Sequence, residues 1–327
     1  MAIALSEADI RAVLFMPDLI GAMETALAAF SSGQVVQPVR TVIEMPDAAF
    51  FAAMPGYIAG HIEHPAVLGA KLVAVIAANQ RRGLPTHRAS ILLLEAETGA
   101  LAAIMDGRLI TEMRTAAVSA VSVRHMARPD AAVLAMLGSG VQARSHLAAL
   151  PLARSFQEVR AWSPTRAHLE IFAAESPVPV HACRTAAEAV RGADVIVLAT
   201  AATTPAIENG WVSEGAHVIS VGACRPTHRE LDSALVARAR VVVDSRASAF
   251  AESGDILLGI GEGLFTGDHV VAELGEVVAG RLPGRTSDGQ VTLFKSLGLA
   301  VEDLASARLV FERARMLGKG IEIDLGG

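Results

Sequence analysis

The chain has 327 residues, of which 28 are Lys or Arg and 34 are Asp or Glu, so its formal net charge at pH 7 is −6. Aromatic residues make up only 4% of the sequence, and this scarcity, together with the acidic balance, argues against a nucleic-acid-binding surface. A hydrophobic fraction of 52% is enough for the cores of about two domains and excludes a largely disordered chain.

The cysteine content and the distribution of apolar residues indicate a cytoplasmic protein. Only Cys183 and Cys224 are present, which is too few for a disulfide framework. Uncharged stretches such as 195–207 are shorter than the roughly 20 residues that cross a bilayer. The N-terminus also lacks the basic and apolar segments of a secretory signal. We therefore expect a soluble enzyme with no membrane partner.

The first part of the chain combines helical and extended patterns. Its predicted elements are a helix over 17–32, an apolar strand over 68–76, strands over 90–95 and 100–105, and a long helix over 111–126. Gly99 lies between the third and fourth of these elements, where it supplies the positive φ of a tight hairpin turn. This pattern is typical of antiparallel β-structure combined with helices.

From residue 131 onward, short and fully apolar strands alternate with helical segments. The predicted strands are 133–137, 159–162, 195–200, 218–221 and 241–243. Strands that are apolar on both faces are typical of a parallel sheet covered by helices on each side. A final amphipathic helix is predicted over 301–316. We therefore predict an α/β fold with a doubly wound parallel sheet in this part.

A glycine-rich loop follows the first of these apolar strands. Gly138, Gly140 and Ala143 form the pattern G-x-G-x-x-A at the point where the strand gives way to a helix. The first glycine allows the tight turn, the second lets the backbone approach a pyrophosphate, and Ala143 permits close packing of helix and strand. Val141 and Gln142 begin the helix and offer backbone N–H groups to phosphate oxygens. The loop predicts a dinucleotide-binding site.

The end of the next predicted strand bears on the choice of cofactor. The segment after 159–162 contains Ser163, Thr165 and Arg166, and it lacks the carboxylate that binds the ribose hydroxyl in NAD-preferring folds. The two hydroxyls can bind a 2′-phosphate, and the guanidinium can offset its charge. NADPH is therefore the predicted cofactor, with NADH as the alternative. The competing interpretation of Arg166 is a solvated residue in the first turn of a helix.

Eight characteristic segments are spread over most of the chain. They are GAKLV (69–73), DG (106–107), TEMRTAA (111–117), GSGVQAR (138–144), VGACRP (221–226), RELD (229–232), AELGE (272–276) and FKSLGLAVED (294–303). In order and spacing they resemble the ornithine cyclodeaminase/mu-crystallin family of nicotinamide-dependent proteins.

The resemblance implies a domain organisation and a class of reaction. It implies a substrate-binding and dimerisation domain over 1–125, joined by the C-terminal helix 300–327, and a Rossmann-type NAD(P)-binding domain over 126–299. It also implies a homodimer with the substrate site in the cleft between the domains. In this family, hydride moves between the nicotinamide ring and a carbon that bears an imine or amine next to a carboxylate.

Three cations of the first domain match the family's carboxylate-binding positions, namely Arg40, Lys71 and Arg114. Lys71 also stands out from the sequence alone, because it lies within an apolar strand where a buried ammonium is costly without an anionic partner. The alternative for each cation is a structural ion pair, or a surface position with a partly buried stem.

The resemblance assigns further residues to the reaction centre and the cofactor. Lys71 and His87 are the candidate proton donors. Thr86 and His87 match positions near the nicotinamide, and Arg114 with Thr115 approaches the cofactor phosphates or the substrate. The remaining candidate cofactor contacts are Thr200, Val221, Cys224, Lys295 and Ser296. For Lys295 and Ser296, a structural role at the start of a helix is the alternative.

One departure from the family pattern separates its subfamilies. Cyclodeaminases carry a catalytic aspartate where this sequence has Cys224, and a thiol orients and deprotonates an amine poorly. The resemblance therefore favours the ketimine reductase branch, acting on cyclic α-imino acids such as 1-pyrroline-2-carboxylate or 1-piperideine-2-carboxylate. The alternatives are an ornithine cyclodeaminase or alanine dehydrogenase, and a non-enzymatic ligand-binding protein.

The other polar candidates are predicted to be structural. Asp232, Asp244 and Asp303 are expected to cap helices or to stabilise loops. His61 and His64 lie close together, but they lack the accompanying Cys, His or Asp residues of a metal site, so no metal is predicted.

Overall fold

The computed structural model describes residues 1–47, 49–60 and 65–324. His61 and His64 therefore lie outside the described residues, as does the end of the predicted segment 300–327.

The strands, in chain order, are β1 (Ala2–Leu5), β2 (Val35–Val36), β3 (Thr41–Glu44), β4 (Phe50–Ile58), β5 (Val67–Val75), β6 (His87–Leu94), β7 (Leu101–Asp106), β8 (Val133–Leu137), β9 (Glu158–Trp162), β10 (His181–Ala182), β11 (Val195–Leu198), β12 (His217–Ser220), β13 (Arg240–Val243), β14 (Val270–Glu273), β15 (Thr292–Lys295) and β16 (Ile321–Ile323).

The helices are α1 (Glu7–Val13), α2 (Met16–Ser31), α3 (Arg108–Met126), α4 (Val141–Ala149), α5 (Arg166–Ala174), α6 (Ala186–Val190), α7 (Ser233–Arg238), α8 (Arg246–Glu252), α9 (Gly254–Gly261), α10 (Leu274–Val278) and α11 (Ala300–Met316). No single described helix is long and apolar enough to cross a membrane, although the pair α1 and α2, bent by 90°, meets the length and composition criteria together.

The chain divides into two compact units. Unit 1 comprises Met1–Arg114 and Leu299–Gly327, and unit 2 comprises Thr115–Gly298. The division falls inside α3, whereas the boundary predicted from the sequence, between residues 125 and 126, lies at the end of this helix.

Unit 1 is built on a mixed sheet whose strand order is β16-β1-β7-β6-β5-β4-β2, with β3 paired to β4. The predicted hairpin is confirmed as β6 and β7, which pair antiparallel, and Gly99 has a φ of 75° in their turn. Helix α11 packs on β4, β5 and β6. One face of the sheet is therefore covered by α11, a helix that comes more than 200 residues after the strands β4 and β5 on which it packs.

The alternation of β5 determines which side chains meet α11. Val67, Gly69, Lys71 and Val73 are buried, while the residues between them are only partly buried. A Cβ atom on Gly69 would lie 2.9 Å from the Cδ2 atom of Leu304 in α11 and 2.2 Å from a carbonyl oxygen of β6. The absence of a side chain thus lets the helix approach the strand closely, and Lys71 lies on the same face.

Unit 2 contains a parallel sheet in the order β10-β9-β8-β11-β12-β15-β13-β14. The order runs one way from β8 to β10 and the other way from β8 through β11, so the switch point lies between β8 and β11. In such sheets the ligand binds outside the carboxyl ends of the strands at this point. The predicted α/β fold is confirmed.

The position of β15 differs from the expectation for that segment. The sequence pattern suggested a helix start near Lys295, but β15 ends at that residue and α11 begins at Ala300. β15 pairs with both β12 and β13 and so lies inside the sheet. The helix-start interpretation is wrong because Thr292–Lys295 is fully buried and its neighbours complete a parallel ladder.

Two buried histidines of unit 2 hydrogen-bond to the part of α3 that belongs to this unit. His146 bonds to the Ser119 hydroxyl (2.8 Å) and to the Gln142 carbonyl (2.7 Å). His217 bonds to the hydroxyls of Ser122 (3.0 Å) and Thr292 (2.9 Å). Burial lowers the pKa of His146 to about 4 and that of His217 to about 3, so both rings are neutral at pH 7.

We expect the protein to lose stability as the pH falls from 7.5 to 5. In the unfolded chain a histidine takes up a proton near pH 6.5, whereas in the folded protein His146 does so only near pH 4. Between these values protons bind the unfolded state preferentially, and at pH 5 His146 alone contributes a loss of about 2 kcal/mol. Urea unfolding at pH 7.5 and at pH 5 measures this change in the free energy of unfolding.

The matched variants for this measurement are His146→Gln and His168→Gln. The glutamine at position 146 does not titrate, so this variant should lose less stability on acidification than the wild type. His168 is exposed, and its replacement should leave the pH dependence unchanged. Equal pH dependence in all three proteins would contradict the assignment.

Candidate functional site

A buried cluster of charged side chains lies between β5, α3 and α11 in unit 1. The Nζ atom of Lys71 is 2.6 Å from Oδ2 of Asp303, and Nε of Arg114 donates to Oδ1 of the same carboxylate at 3.1 Å. Arg114 also donates through Nη1 to Glu302. All four side chains are almost fully buried. The cluster places a lysine, an arginine and two carboxylates in a low-dielectric environment.

The position of Lys71 in this cluster changes its protonation behaviour. Burial lowers the pKa of Lys71, Asp303 raises it, and Arg114 and Arg40 lower it, with a net result of about 8. The ammonium is therefore charged at pH 7 but can release its proton at a modest cost. Such a group can serve both as a cation and as a proton donor near neutral pH.

The other predicted residues of unit 1 lie around Lys71. Arg40 is half-buried, and its charge acts on Lys71. His87, at the start of β6, is exposed, and its Nδ1 atom is 3.1 Å from the hydroxyl of Thr86. Partial desolvation and the charge of Lys71 lower the pKa of His87. The two candidate proton donors are thus electrostatically coupled.

Glu302 and Asp303 are members of the cluster that the sequence reasoning did not place. The prediction that Asp303 caps a helix or stabilises a loop is wrong, because the N-cap of α11 is Leu299 and the Asp303 carboxylate binds Lys71 and Arg114. The signal in the sequence was indirect. A lysine in an apolar strand requires an anionic partner, and two adjacent carboxylates, Glu302 and Asp303, lie in the otherwise apolar first turn of the last helix.

Asp232 and Asp244 behave as predicted. Asp232 is the N-cap of α7 and accepts from the Ala234 amide at 3.0 Å. Asp244 is fully buried and accepts from the backbone amides of Ser245, Leu297 and Gly298, which fixes the loop after β15.

The glycine-rich loop of unit 2 has the geometry of a phosphate-binding turn. Gly138 has a φ of 116°, and a Cβ atom there would lie 2.3 Å from the Ala199 carbonyl oxygen. Gly140 is the N-cap of α4, and, its chain neighbours aside, a Cβ atom on it would lie more than 4 Å from every heavy atom of the described residues. The space in front of Gly140 is open, as the approach of a pyrophosphate requires.

The start of α4 offers further groups to a ligand. Gly140 caps the helix without a side chain, so the amides of Val141 and Gln142 have no side-chain acceptor from the N-cap residue. The Oε1 atom of Gln142 is buried without a hydrogen-bond partner among the described residues. An orphaned polar atom of this kind is typical of a site that completes its hydrogen bonds with a ligand. These residues fit a dinucleotide.

The predicted ribose-binding residues follow β9. Ser139 of the glycine-rich loop donates to the Ser163 hydroxyl at 3.0 Å, which ties the loop to the end of this strand. Thr165 is the N-cap of α5 and makes no side-chain cap hydrogen bond. Arg166 is exposed and pairs with Glu170 at 2.8 Å. The segment therefore lies next to the loop, and Arg166 is held by Glu170 of its own helix and by the Ala182 carbonyl of β10.

The remaining predicted cofactor residues of unit 2 differ in accessibility. Thr200, Val221 and Cys224 follow β11 and β12 at the carboxyl edge of the sheet and are partly buried. Thr115 and Ser296 are buried. Lys295 is fully buried, and its Nζ atom contacts Ser220 Oγ (3.0 Å), the Ala223 carbonyl (2.6 Å) and Asp255 Oδ2 (2.9 Å). The three ammonium hydrogens of Lys295 thus have acceptors within the protein.

The environment of Lys295 keeps it charged. Burial alone would lower its pKa, but Asp255, Cys224 and Glu230 outweigh this effect and raise it. Lys295 therefore supports the chain around Ala223 and Cys224 rather than titrating near neutral pH.

One group of side chains among the described residues approaches metal-ligand spacing. The ligand atoms of His181, Cys183 and Glu188 lie within 4.8 Å of one another. Glu188, however, already accepts from the Arg184 amide at 2.8 Å and belongs to the cap of α6. Burial also raises the pKa of the Cys183 thiol, which opposes the thiolate form that binds metals. We assign no metal to it.

Comparison with known sequences places the chain in a family. The sequence model of the ornithine cyclodeaminase/mu-crystallin family matches residues 2–318. The chain belongs to this family. It is 45% identical to the ketimine reductase mu-crystallin of Rattus norvegicus over 298 residues, which cover 90% of this chain and 91% of that protein.

Two solved structures of related proteins are similar to this chain over nearly its full length. The Δ1-pyrroline-2-carboxylate reductase of Thermococcus litoralis, in complex with NADH and L-proline, has a TM-score of 0.94 at 36% identity and covers 98% of this chain and 100% of its own. An archaeal alanine dehydrogenase dimer with bound NAD has a TM-score of 0.93 at 30% identity, with 99% of each chain covered. The predicted Rossmann-type fold is confirmed by these family members.

Breaking the buried ion pair between Lys71 and Asp303 should strongly destabilise the protein. Asp303→Asn keeps the shape of the side chain but leaves Lys71 without its nearest anion, so we expect a loss of about 3–5 kcal/mol in the free energy of unfolding. Urea denaturation measures the loss. The control Arg11→Gln removes the exposed pair with Glu7 and should cost no more than about 0.5 kcal/mol. Similar losses in both variants would refute the special role of Asp303.

Two glycine substitutions should separate folding from ligand binding. Gly138→Ala forces a side chain against the Ala199 carbonyl at a positive φ and should lower the melting temperature. Gly140→Ala has room in the protein, so it should melt like the wild type but bind NADH at least tenfold more weakly. Calorimetric titration and thermal melts measure both effects. Wild-type NADH affinity in Gly140→Ala would show that this loop does not contact the cofactor.

Proposed function

We propose that this chain reduces cyclic α-imino acids, such as 1-pyrroline-2-carboxylate and 1-piperideine-2-carboxylate, to L-proline and L-pipecolate. The chain is an NAD(P)H-dependent oxidoreductase that acts on C=N bonds, in line with the reductase relatives. The proposal concerns its substrate and the roles of its residues. The observation that carries it is the buried lysine of unit 1, held next to Arg114.

The cations of the cluster suit an anionic substrate. Lys71 pairs with Asp303, Arg114 pairs with Glu302 and Asp303, and the charge of Arg40 also acts on Lys71. We propose that these cations bind the substrate carboxylate, since an arginine can bind a carboxylate through two parallel hydrogen bonds.

Lys71 is our proposed proton donor. Reduction of an imine to an amine needs one hydride and one proton, and a bound nicotinamide supplies the hydride. With a pKa of about 8, Lys71 is protonated at neutral pH and close enough to deprotonation to transfer its proton to the substrate nitrogen. His87 is the second candidate, because it lies within the electrostatic influence of Lys71.

Asp303 has two proposed functions in this scheme. Its carboxylate orients the Lys71 ammonium through the 2.6 Å contact and holds the Arg114 guanidinium through Nε. It also raises the pKa of Lys71 and so opposes the lowering effect of burial. Asp303 is therefore a positioning residue for both cations.

Our proposed cofactor is NADPH, with NADH as the alternative. The end of β9 bears Ser163, Thr165 and Arg166 and has no carboxylate among 163–166 to repel a 2′-phosphate. Arg166 must exchange its contacts with Glu170 and the Ala182 carbonyl for the phosphate, which is feasible because both contacts are exposed and the ion pair is weak. The ribose hydroxyl of NADH can bind the same serine and threonine.

We further propose that the protein acts as a homodimer. The archaeal alanine dehydrogenase relative is described as a dimer. Size-exclusion chromatography with light scattering measures the molecular mass in solution, and a mass near the 34.0 kDa of a single chain would contradict the proposal.

The decisive experiment is a substrate panel with both cofactors. We expect oxidation of NADPH, followed at 340 nm, with 1-pyrroline-2-carboxylate or 1-piperideine-2-carboxylate, and less activity with NADH. Arg166→Ala should weaken activity with NADPH selectively. Turnover only with pyruvate and ammonia would instead indicate an alanine dehydrogenase, and release of ammonia from ornithine a cyclodeaminase. Tight ligand binding without any turnover would indicate a binding protein.

The pH dependence tests the role of Lys71. Because its proton is lost near pH 8, kcat/KM should fall above that pH in the wild type. Lys71→Met should reduce kcat/KM at pH 7 by about 100-fold or more. The exposed Lys319→Met is the control and should keep wild-type kinetics. An unchanged alkaline limb in an active Lys71→Met protein would assign the proton to another group.

A further inference from the structure

A buried glutamate of unit 2 joins two loops at the carboxyl edge of the sheet. Oε1 of Glu230 accepts from the backbone amide of Thr200 at 2.9 Å and from its hydroxyl at 2.6 Å. Oε2 accepts from the Gly222 amide at 2.7 Å and from the Ala223 amide at 3.3 Å. Each carboxylate oxygen therefore holds a different loop, one after β11 and the other after β12.

The glutamate is itself held by a second set of contacts. The backbone amides of Glu230 and Leu231 donate to Oδ1 of Asp255 at 2.9 and 3.1 Å. Oδ2 of Asp255 is 2.9 Å from Nζ of Lys295, which also donates to the Ala223 carbonyl. Ser220 links the two carboxylates through its hydroxyl. Glu230 is thus fixed from the side of α9 and β15.

The two loops approach each other closely at Gly222. A Cβ atom on Gly222 would lie 2.1 Å from the Thr200 carbonyl oxygen and 2.4 Å from Oε1 of Glu230. Glu230 is fully buried, and burial raises the pKa of its carboxyl group, while Lys295 and the hydrogen bonds from Thr200 oppose this shift. The contact between the two loops is therefore close and specific.

The place of these loops in the sheet indicates which part of a ligand they meet. The loop after β8 holds the pyrophosphate in this fold, and the end of β9 faces the adenosine ribose. Strands β11 and β12 lie on the other side of the switch point. The loops after them are therefore on the side of the nicotinamide half of the dinucleotide.

We propose that Glu230 is a positioning residue that fixes the backbone at Thr200 and at Gly222 and Ala223, so that these loops bind the nicotinamide ring of the cofactor. This inference rests on the dinucleotide binding of the proposed function and is independent of the imine substrate. It does not require Glu230 to contact the cofactor.

Glu230→Gln is a sharp test, because the amide has nearly the same shape but only one oxygen. The NH2 group cannot accept from backbone amides, so one of the two loops loses its acceptor. Binding is measured by calorimetry for NADH and for ADP-ribose, which lacks the nicotinamide. We expect the Kd for NADH to rise about tenfold and the Kd for ADP-ribose to stay within twofold of the wild type.

Asp232→Ala is the matched control, two residues away. It removes the cap of α7, so it should lower the melting temperature by about 2–4 °C without changing either Kd. Ser220→Ala removes one link of the network more gently and should weaken NADH binding selectively, which provides the test if Glu230→Gln does not fold.

The outcomes separate this inference from the proposed function. Unchanged NADH affinity in the folded Glu230→Gln protein, or an equal loss of NADH and ADP-ribose affinity, would overturn the positioning role, and the same holds for Ser220→Ala. Failure of the wild type to bind either ligand would instead overturn the proposed cofactor. Selective loss of NADH affinity supports Glu230 even if no imine is turned over.

Discussion

The buried ion pair between Lys71 and Asp303 is the interaction on which unit 1 depends. Two charges at 2.6 Å in a nearly water-free environment are favourable only when both are present, since either one alone keeps its desolvation cost. The pair joins a strand from the first third of the chain to the last long helix. The packing of α11 on the sheet therefore requires the Lys71 ammonium.

The surrounding residues make this arrangement both stable and usable. Gly69 lets α11 approach β5, so the Asp303 carboxylate reaches the ammonium. Arg114 takes the other oxygen of Asp303 and, through Glu302, a second carboxylate. Burial has the largest effect on Lys71 and, despite the neighbouring Asp303 carboxylate, brings its pKa to about 8. Structural stability and the proposed proton transfer from Lys71 thus depend on the same contacts.

The sequence allowed the prediction of those features that depend on local patterns. The apolar strands of unit 2, the G-x-G-x-x-A loop and the hairpin around Gly99 are each encoded within a few neighbouring residues. The partners of Lys71 are different, because Asp303 is far away in the chain and meets it only through the tertiary fold. The hydrogen-bond donors to Glu230 likewise come from two separate loops that only the tertiary fold brings together. Periodicity carries no information about such contacts.

The insertion of β15 between β12 and β13 has a consequence for biosynthesis. A ribosome releases the chain from its N-terminus onward, so the middle of the parallel sheet stays open until residues 292–295 have emerged. The sheet of unit 1 is covered even later, because α11, which packs on it, is synthesised after β15. Both units therefore close late and through contacts of large sequence separation, which are slow to form. Apolar strands of the nascent chain are therefore exposed during most of translation, and transiently exposed strands of this kind are prone to aggregate.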